Sequence, residues 1–272
     1  MKLYINHLST ENINNYLKEK NIDHIDFSLF IDDIPKAAQD LSSINILVLQ
    51  EPNEYFGLHD WTINNYHLFS FILTWSDKVL NNCPNAIFLP FGNLWINKEQ
   101  YLKSRVKKFE VAHLRGKNLK TYGHSLRHEI FDRKNEIKIP TRFFDVYGGM
   151  NSIGEASKGK EFVFGDSMFG IIIENTSHRG YFTEKIMDCF SLKTFPLYWG
   201  CSNITDFFSN KGIIKFDNVD DLIYIINNLD EKFYYNHLKA IEDNYQKAIN
   251  VIDYEIRIVE KIKEIFIFNN LI

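Results

Sequence analysis

Short apolar runs alternate along this chain with stretches in which apolar residues recur every three or four positions. Residues 2–5 read as a strand, 10–20 as a helix, 44–49 (INILVL) as a buried strand, 69–73 as another, 77–80 as the start of a helix and 86–89 as a further strand. The rhythm resumes near Lys108. FEVAHL reads as a strand, 124–134 as a helix after Gly123, and RFFDVYG as a strand; 212–216 is a strand, 219–229 a helix, and 234–268 mostly helical. Alternation of this kind predicts parallel sheets covered by helices, an α/β fold with two Rossmann-like domains facing a cleft. We place the domains at 1–105 and 106–272. The longest polar, glycine-rich segment, 148–160 (GGMNSIGEASKGK), is expected to be an exposed loop. The C-terminal helical stretch leaves two uses open, a return to the first domain or a homodimer.

The segment 171–204, IIIENTSHRGYFTEKIMDCFSLKTFPLYWGCSNI, changes the picture most. A buried strand over 169–173 leads into a polar loop, 175–181, in which Gly180 is free to take unusual backbone angles. Thr183 is a good N-cap for a helix to about Leu192, with Ile186, Met187, Cys189 and Phe190 on its apolar face. Residues 194–199 (TFPLYW) return as a second strand, so the whole is a parallel β-loop-α-β unit. Such units bind anions at the strand's carboxyl end, where the helix offers unpaired N–H groups and a positive partial charge. Lys185 in the first helical turn opposes that dipole unless an anion sits nearby, and Glu184 is a two-oxygen acceptor suited to a ribose diol.

Composition fits an ordinary globular enzyme. At 272 residues, 45% hydrophobic and 15% aromatic, the chain can bury one large or two medium cores. Its formal charge of −4 carries no footprint for nucleic acid. MKLYINH has no apolar signal stretch and no later run approaches transmembrane length, so we expect a cytoplasmic protein. A lipid-linked substrate would bring it to a membrane's periphery. Cys83, Cys189 and Cys201 lack the spacing of a zinc site or a disulfide framework. His124 and His128 stand four apart on one helix without a third ligand, and Asp32-Asp33 and Asp145 form no D-x-D motif.

Asn175, His178, Tyr181, Thr183, Glu184, Lys185, Pro196, Tyr198, Trp199, Gly200 and Asn203 spell EN-x-S-x-x-x-Y-x-TEK followed by P-x-YWG. This pattern resembles the donor-binding signature of the α-1,3-fucosyltransferases, glycosyltransferase family 10, strongly over about an eighth of the chain. The strand ends IIEN where the family usually has FEN, and SLKT replaces a small-residue turn; neither departure touches the polar positions. The resemblance implies the GT-B architecture, with the donor in the C-terminal domain, and an inverting, metal-independent transfer of fucose from GDP-fucose to a glycan hydroxyl. Glu51, after the strand INILVL, resembles the family's catalytic glutamate, although Gln50 and Pro52 flank it and Glu54 is the alternative. Arg127 resembles an arginine that meets the diphosphate, its competing reading being a surface ion pair with Glu129 or Asp132. The resemblance also assigns Lys185 to the diphosphate, Glu184 to the ribose, Tyr181 to the nucleotide pocket and Asn175 to a donor contact. The other readings are a nucleotide-sugar- or glycan-binding protein without catalysis and a transferase for a different GDP-sugar.

Overall fold

A computed structural model describes residues 1–35, 41–145, 156–251 and 253–272. The chain divides into two compact units, Met1–Phe91 with Ile252–Ile272, and Gly92–Val251. Each holds a five-stranded sheet whose neighbouring strands all run parallel.

The first sheet takes its strands in chain order: β1 (Lys2–Ile5), β2 (Phe27–Ile31), β3 (Ile44–Leu49), β4 (Phe71–Thr74) and β5 (Ala86–Phe88). Successive side chains point to opposite faces of a strand, so Phe27, Leu29, Ile31, Ile46 and Val48 fall into one core and Phe30, Leu47, Leu49 and Ile72 into another. The first core is closed by Ile13 and Leu17 of the helix Thr10–Glu19 and by Tyr254, Ile258, Ile262 and Phe266 of the helix Tyr254–Phe268. Those four recur at intervals of four, the stripe by which a helix packs on one side. This stripe moves the domain boundary: the last helix belongs to the first unit rather than to a continuous 106–272, and the second unit begins at Gly92 rather than at 106.

The second sheet runs β10-β9-β8-β6-β7, with β6 at Lys108–Arg115, β7 at Thr141–Asp145, β8 at Ser167–Ile173, β9 at Phe195–Trp199 and β10 at Ile214–Lys215. Leu126, Ile130, Leu222 and Ile226 cover one face, and Val163, Ile186, Met187 and Phe190 the other. After β7 the chain crosses back to lay β8 on the other side of β6, so connections diverge on either side of the β6–β8 pair. A crevice opens beyond the carboxyl ends of strands at such a switch point, and ligands of open α/β sheets bind there. The first sheet has no such reversal.

Part of the glycine-rich segment expected to be a loop, 148–155, lies outside the described residues. From Ala156 the chain is helical to Phe164. Among the described residues no helix is long and apolar enough to cross a membrane.

Candidate active site

The motif loop is built by its own polar residues. Glu174, the first residue past β8, is fully buried, and its carboxylate accepts the Thr183 backbone N–H at 3.0 Å and the Thr183 hydroxyl at 2.6 Å. Thr183 then caps the helix Glu184–Ser191, its Oγ1 accepting the Lys185 backbone N–H at 3.3 Å. The loop is thereby closed at both ends. Ser177 donates to the Gly200 carbonyl at 2.7 Å, and Asn203 Oδ1 accepts the Gly180 N–H at 2.8 Å. The Tyr198 hydroxyl accepts the Cys201 N–H at 3.0 Å. At Gly200 a Cβ would stand 2.5 Å from Glu174 Cγ, which only glycine avoids. Several positions of the pattern therefore shape the loop rather than face a ligand.

A cavity of about 250 Å³ lies beyond the carboxyl ends of β6 and β8. Leu114, Phe164 and Ile171 to Ile173 form its apolar walls, and Arg127, Lys160, Lys185, Glu184 and Asp188 bring charge to it. The Lys185 ammonium is 3.2 Å from Thr183 Oγ1, 3.2 Å from Glu184 Oε1 and 3.9 Å from Glu174 Oε2. A cation in the first turn costs about 0.3–1 kcal/mol against the helix dipole. A charge-assisted hydrogen bond contributes about 1.5–3 kcal/mol, so the bond to Glu184 outweighs the dipole, and the Glu174 carboxylate adds attraction at ion-pair distance. Burial pushes the Glu174 carboxyl up, against Lys185 and the Thr183 donors.

Lys160, on the helix Ala156–Phe164, carries no local sequence signal for a site, yet it lines the cavity. Its buried ammonium lies 2.6 Å from Asp188 Oδ2, 3.2 Å from Glu184 Oε1 and 4.1 Å from the centre of the Trp95 ring. Burial would depress it, but Asp188 and Glu184 reverse the effect and hold it above the ordinary lysine value. Burial likewise opposes the charge on Glu184, and Lys160 and Lys185 overcome it, keeping that carboxyl well below its usual range. Glu184 thus faces the cavity as a carboxylate gripped by two ammonium groups. Asp188 Oδ1 also accepts the N–H groups of Trp95 at 2.8 Å and Ile96 at 3.0 Å, which satisfies it on both oxygens.

Arg127 is not a surface residue. It is 8% exposed, with Nε and Nη2 donating to the Ile173 carbonyl at 3.1 and 2.5 Å and Nη2 also to Asn175 Oδ1 at 3.0 Å. The surface ion pair with Glu129 belongs instead to Arg133, and that with Asp132 to Arg115. Asn175 accordingly acts on the guanidinium and is not among the residues lining the cavity. Tyr181 also departs from expectation. It is fully buried and outside the cavity lining, because Gly180 in left-handed backbone (φ 74°) turns Tyr181 and Phe182 into the core.

Two histidines sit beside these cations in neutral form. Burial drops His113 to about 4, and its Nε2 lies 3.1 Å from the Arg127 carbonyl. Burial followed by Arg127 and Lys185 drops His124 to about 4, and its Nδ1 meets the Thr121 hydroxyl at 2.6 Å in a capping box. Cys189 is buried in the core, as its helix face implied, and burial raises its thiol.

Gly123 fixes how closely the helix Tyr122–Asp132, which carries Arg127, meets the end of β8. Its N–H donates to the Asn175 carbonyl at 3.1 Å, and a Cβ would stand 2.0 Å from the Glu174 carbonyl oxygen. Gly123→Ala is expected to cost about 1–3 kcal/mol in urea denaturation, the usual range for overpacking. A loss below 0.5 kcal/mol would show that the helix slides without penalty.

In the first unit, Glu51 lies two residues past the end of β3, after Gln50. Its carbonyl lies 3.0 Å from His59 Nε2, and its N–H reaches Asp32 Oδ2 at 3.1 Å. Glu54 lies on the short helix Asn53–Phe56 and is exposed. The two carboxylates that the sequence left open thus differ in surroundings: one is held at a strand end, the other is solvated.

Two units that each carry a helix-covered parallel sheet, with a charged cavity at the switch point of the second, define the α/β fold of the GT-B glycosyltransferases. No family model matches the sequence. Over 132 residues the chain is 30% identical to the α-(1,3)-fucosyltransferase FucT of Helicobacter pylori, a match that covers 47% of this chain and 26% of FucT. It spans about a quarter of that relative's length. A crystal structure of an α1,3-fucosyltransferase superimposes with a TM-score of 0.58 at 16% identity, covering 93% of this chain and 90% of that one. One of an α1,3-fucosyltransferase with GDP-fucose superimposes equally well, TM-score 0.58 at 17% identity, covering 96% and 89%. These structures share the fold, and the sequence match is a similarity to an α-1,3-fucosyltransferase over about half of this chain.

Proposed function

We propose that this chain is an inverting glycosyltransferase that takes fucose from GDP-fucose and transfers it to a hydroxyl of a glycan. The observation that carries the reading is the convergence of Arg127, Lys185 and the N-terminus of the helix Glu184–Ser191 on one cavity at the sheet's switch point. Departure of a nucleoside diphosphate concentrates negative charge on its terminal phosphate, and positive groups already in place stabilise that charge without reorganising. An arginine fork can hold two phosphate oxygens at once, and the ammonium of Lys185 adds a point charge.

In this mechanism Glu51 takes the proton from the acceptor hydroxyl as its oxygen attacks the anomeric carbon opposite the leaving group. GDP departs against Arg127 and Lys185. Glu184, kept ionised by its two lysines, accepts the ribose hydroxyls. Asn175 aims the guanidinium, and Tyr181 packs beneath the loop. Two cations and a helix N-terminus take the role that a divalent ion has in other transferases, so no essential metal is required.

The test is a calorimetric panel of GDP- and UDP-sugars with and without EDTA, followed by transfer to a set of oligosaccharides. Binding of GDP-fucose that EDTA leaves unchanged, with transfer to at least one acceptor, is the expected outcome. Binding of UDP-sugars alone would sink the donor assignment. Donor binding without transfer or slow hydrolysis would leave only a binding protein.

A further inference from the structure

Resting on the reading of Glu51 as the base, we propose that Asp32 is its positioning residue, holding the Gln50–Glu51 backbone through an ionised carboxylate. The dipeptide lies past the end of β3, outside any ladder, yet side chains meet its backbone polar groups from several directions. Asp32 Oδ1 accepts the Gln50 N–H at 2.9 Å, and Asp32 Oδ2 accepts the Glu51 N–H at 3.1 Å and the Gln50 side-chain amide at 3.3 Å. On the carbonyl side, Trp75 Nε1 donates to Gln50 at 2.6 Å, and His59 Nε2 lies 3.0 Å from that of Glu51.

Asp32 is itself fixed firmly. It follows β2, is 5% exposed, and takes left-handed backbone (φ 44°), a conformation that aspartate tolerates better than most residues. Its N–H donates to the Val48 carbonyl at 2.9 Å, and Asn6 donates to its carbonyl at 2.8 Å. The carboxylate therefore joins the ends of two neighbouring strands and aims the residue that follows the second.

Holding a charge there has a cost in stability. Burial pushes the Asp32 carboxyl up to about 7, with the Gln50 and Glu51 N–H groups opposing the shift and the Glu51 charge adding to it. Among the described residues Tyr254, on the last helix, also faces it, and burial keeps that phenol protonated. A carboxyl raised above its unfolded value contributes stability when protonated, and loses that contribution as pH rises through about 7. Function asks for the opposite form. Protonation turns one acceptor oxygen into a donor facing N–H groups, so the cradle around Glu51 loosens as pH falls through the same range.

The first measurement is made on the unaltered protein: backbone amide shifts of Gln50 and Glu51 followed by NMR from pH 5 to 9. Both are expected to titrate with a midpoint near 7, and Asp32→Asn is expected to abolish that midpoint. In turnover, Asp32→Asn should lower kcat roughly ten- to a hundredfold, as a misplaced catalytic group does, leave KM for GDP-fucose unchanged, and raise Tm at pH 8. Amides that do not titrate, or a kcat against pH profile unchanged in Asp32→Asn, would overturn the proposal. Full turnover in Glu51→Gln removes the base assignment itself and with it this role for Asp32, an outcome recognisable because the amide titration would persist.

Discussion

Glu51→Gln is expected to lower kcat by about 10²–10⁴-fold, the usual contribution of general base catalysis, while leaving the affinity for GDP-fucose unchanged. The amide matches the carboxylate in shape but does not take a proton at neutral pH. Since Asp32 and His59 hold the backbone of residue 51, the substitution leaves the loop in place. Single-turnover kinetics with saturating donor separate the two effects. A kcat within threefold of the unaltered protein would take Glu51 out of the base role.

Lys185→Ala carries the second large effect, in donor affinity as well as turnover. The variant removes a cation from the cavity and strands Glu174, which is fully buried, beside Glu184. Loss of a charge-assisted contact to phosphate costs about 1.5–3 kcal/mol, or roughly 10- to 150-fold in Kd for GDP-fucose. Stability falls too, because a buried carboxylate loses its compensating charge. Lys185→Arg serves as the control: it retains the charge and should recover folding while restoring donor affinity only in part, since the guanidinium does not superimpose on an ammonium. Unchanged Kd in Lys185→Ala would move the diphosphate elsewhere.

Much of the architecture is legible in single apolar runs. INILVL and FGIII are strands because a parallel strand covered on both faces needs a continuous apolar sequence, and both are found where that rule places them. Phe27–Ile31 obeys the same rule, but five residues between Asp26 and Asp32 give too short a run to be read as a strand without its neighbours. The cap at Thr183 was readable for a local reason, since its partners lie within a few positions. Arg127 was not, because a guanidinium near Glu129 and Asp132 has local carboxylates to choose from. Its acceptor in the structure is a carbonyl 46 residues away.

The charged residues the sequence reading missed share that property. Lys160 stands in SKGKEFVF and looks solvated until Glu184 and Asp188, 24 and 28 positions on, arrive around its ammonium. Asp32 belongs to an unremarkable Asp-Asp pair until β2 lies beside β3 and brings it to the N–H groups of Gln50 and Glu51. For Tyr181 the resemblance implied a place in the nucleotide pocket, and a left-handed glycine one residue earlier turns the ring inward, a placement no local pattern announces.

The return of the helix Tyr254–Phe268 to the first unit also sets an order of events during synthesis. A ribosome finishes residues 92–251 while the first unit still lacks the helix that closes one of its two cores. The usual sequence, in which the amino-terminal domain folds first, is therefore reversed in its last step. Leu29, Ile31, Ile46 and Val48 wait with part of their apolar surface uncovered until residues 254–268 emerge. Until then those strands offer apolar surface to aggregation or to a chaperone's grip.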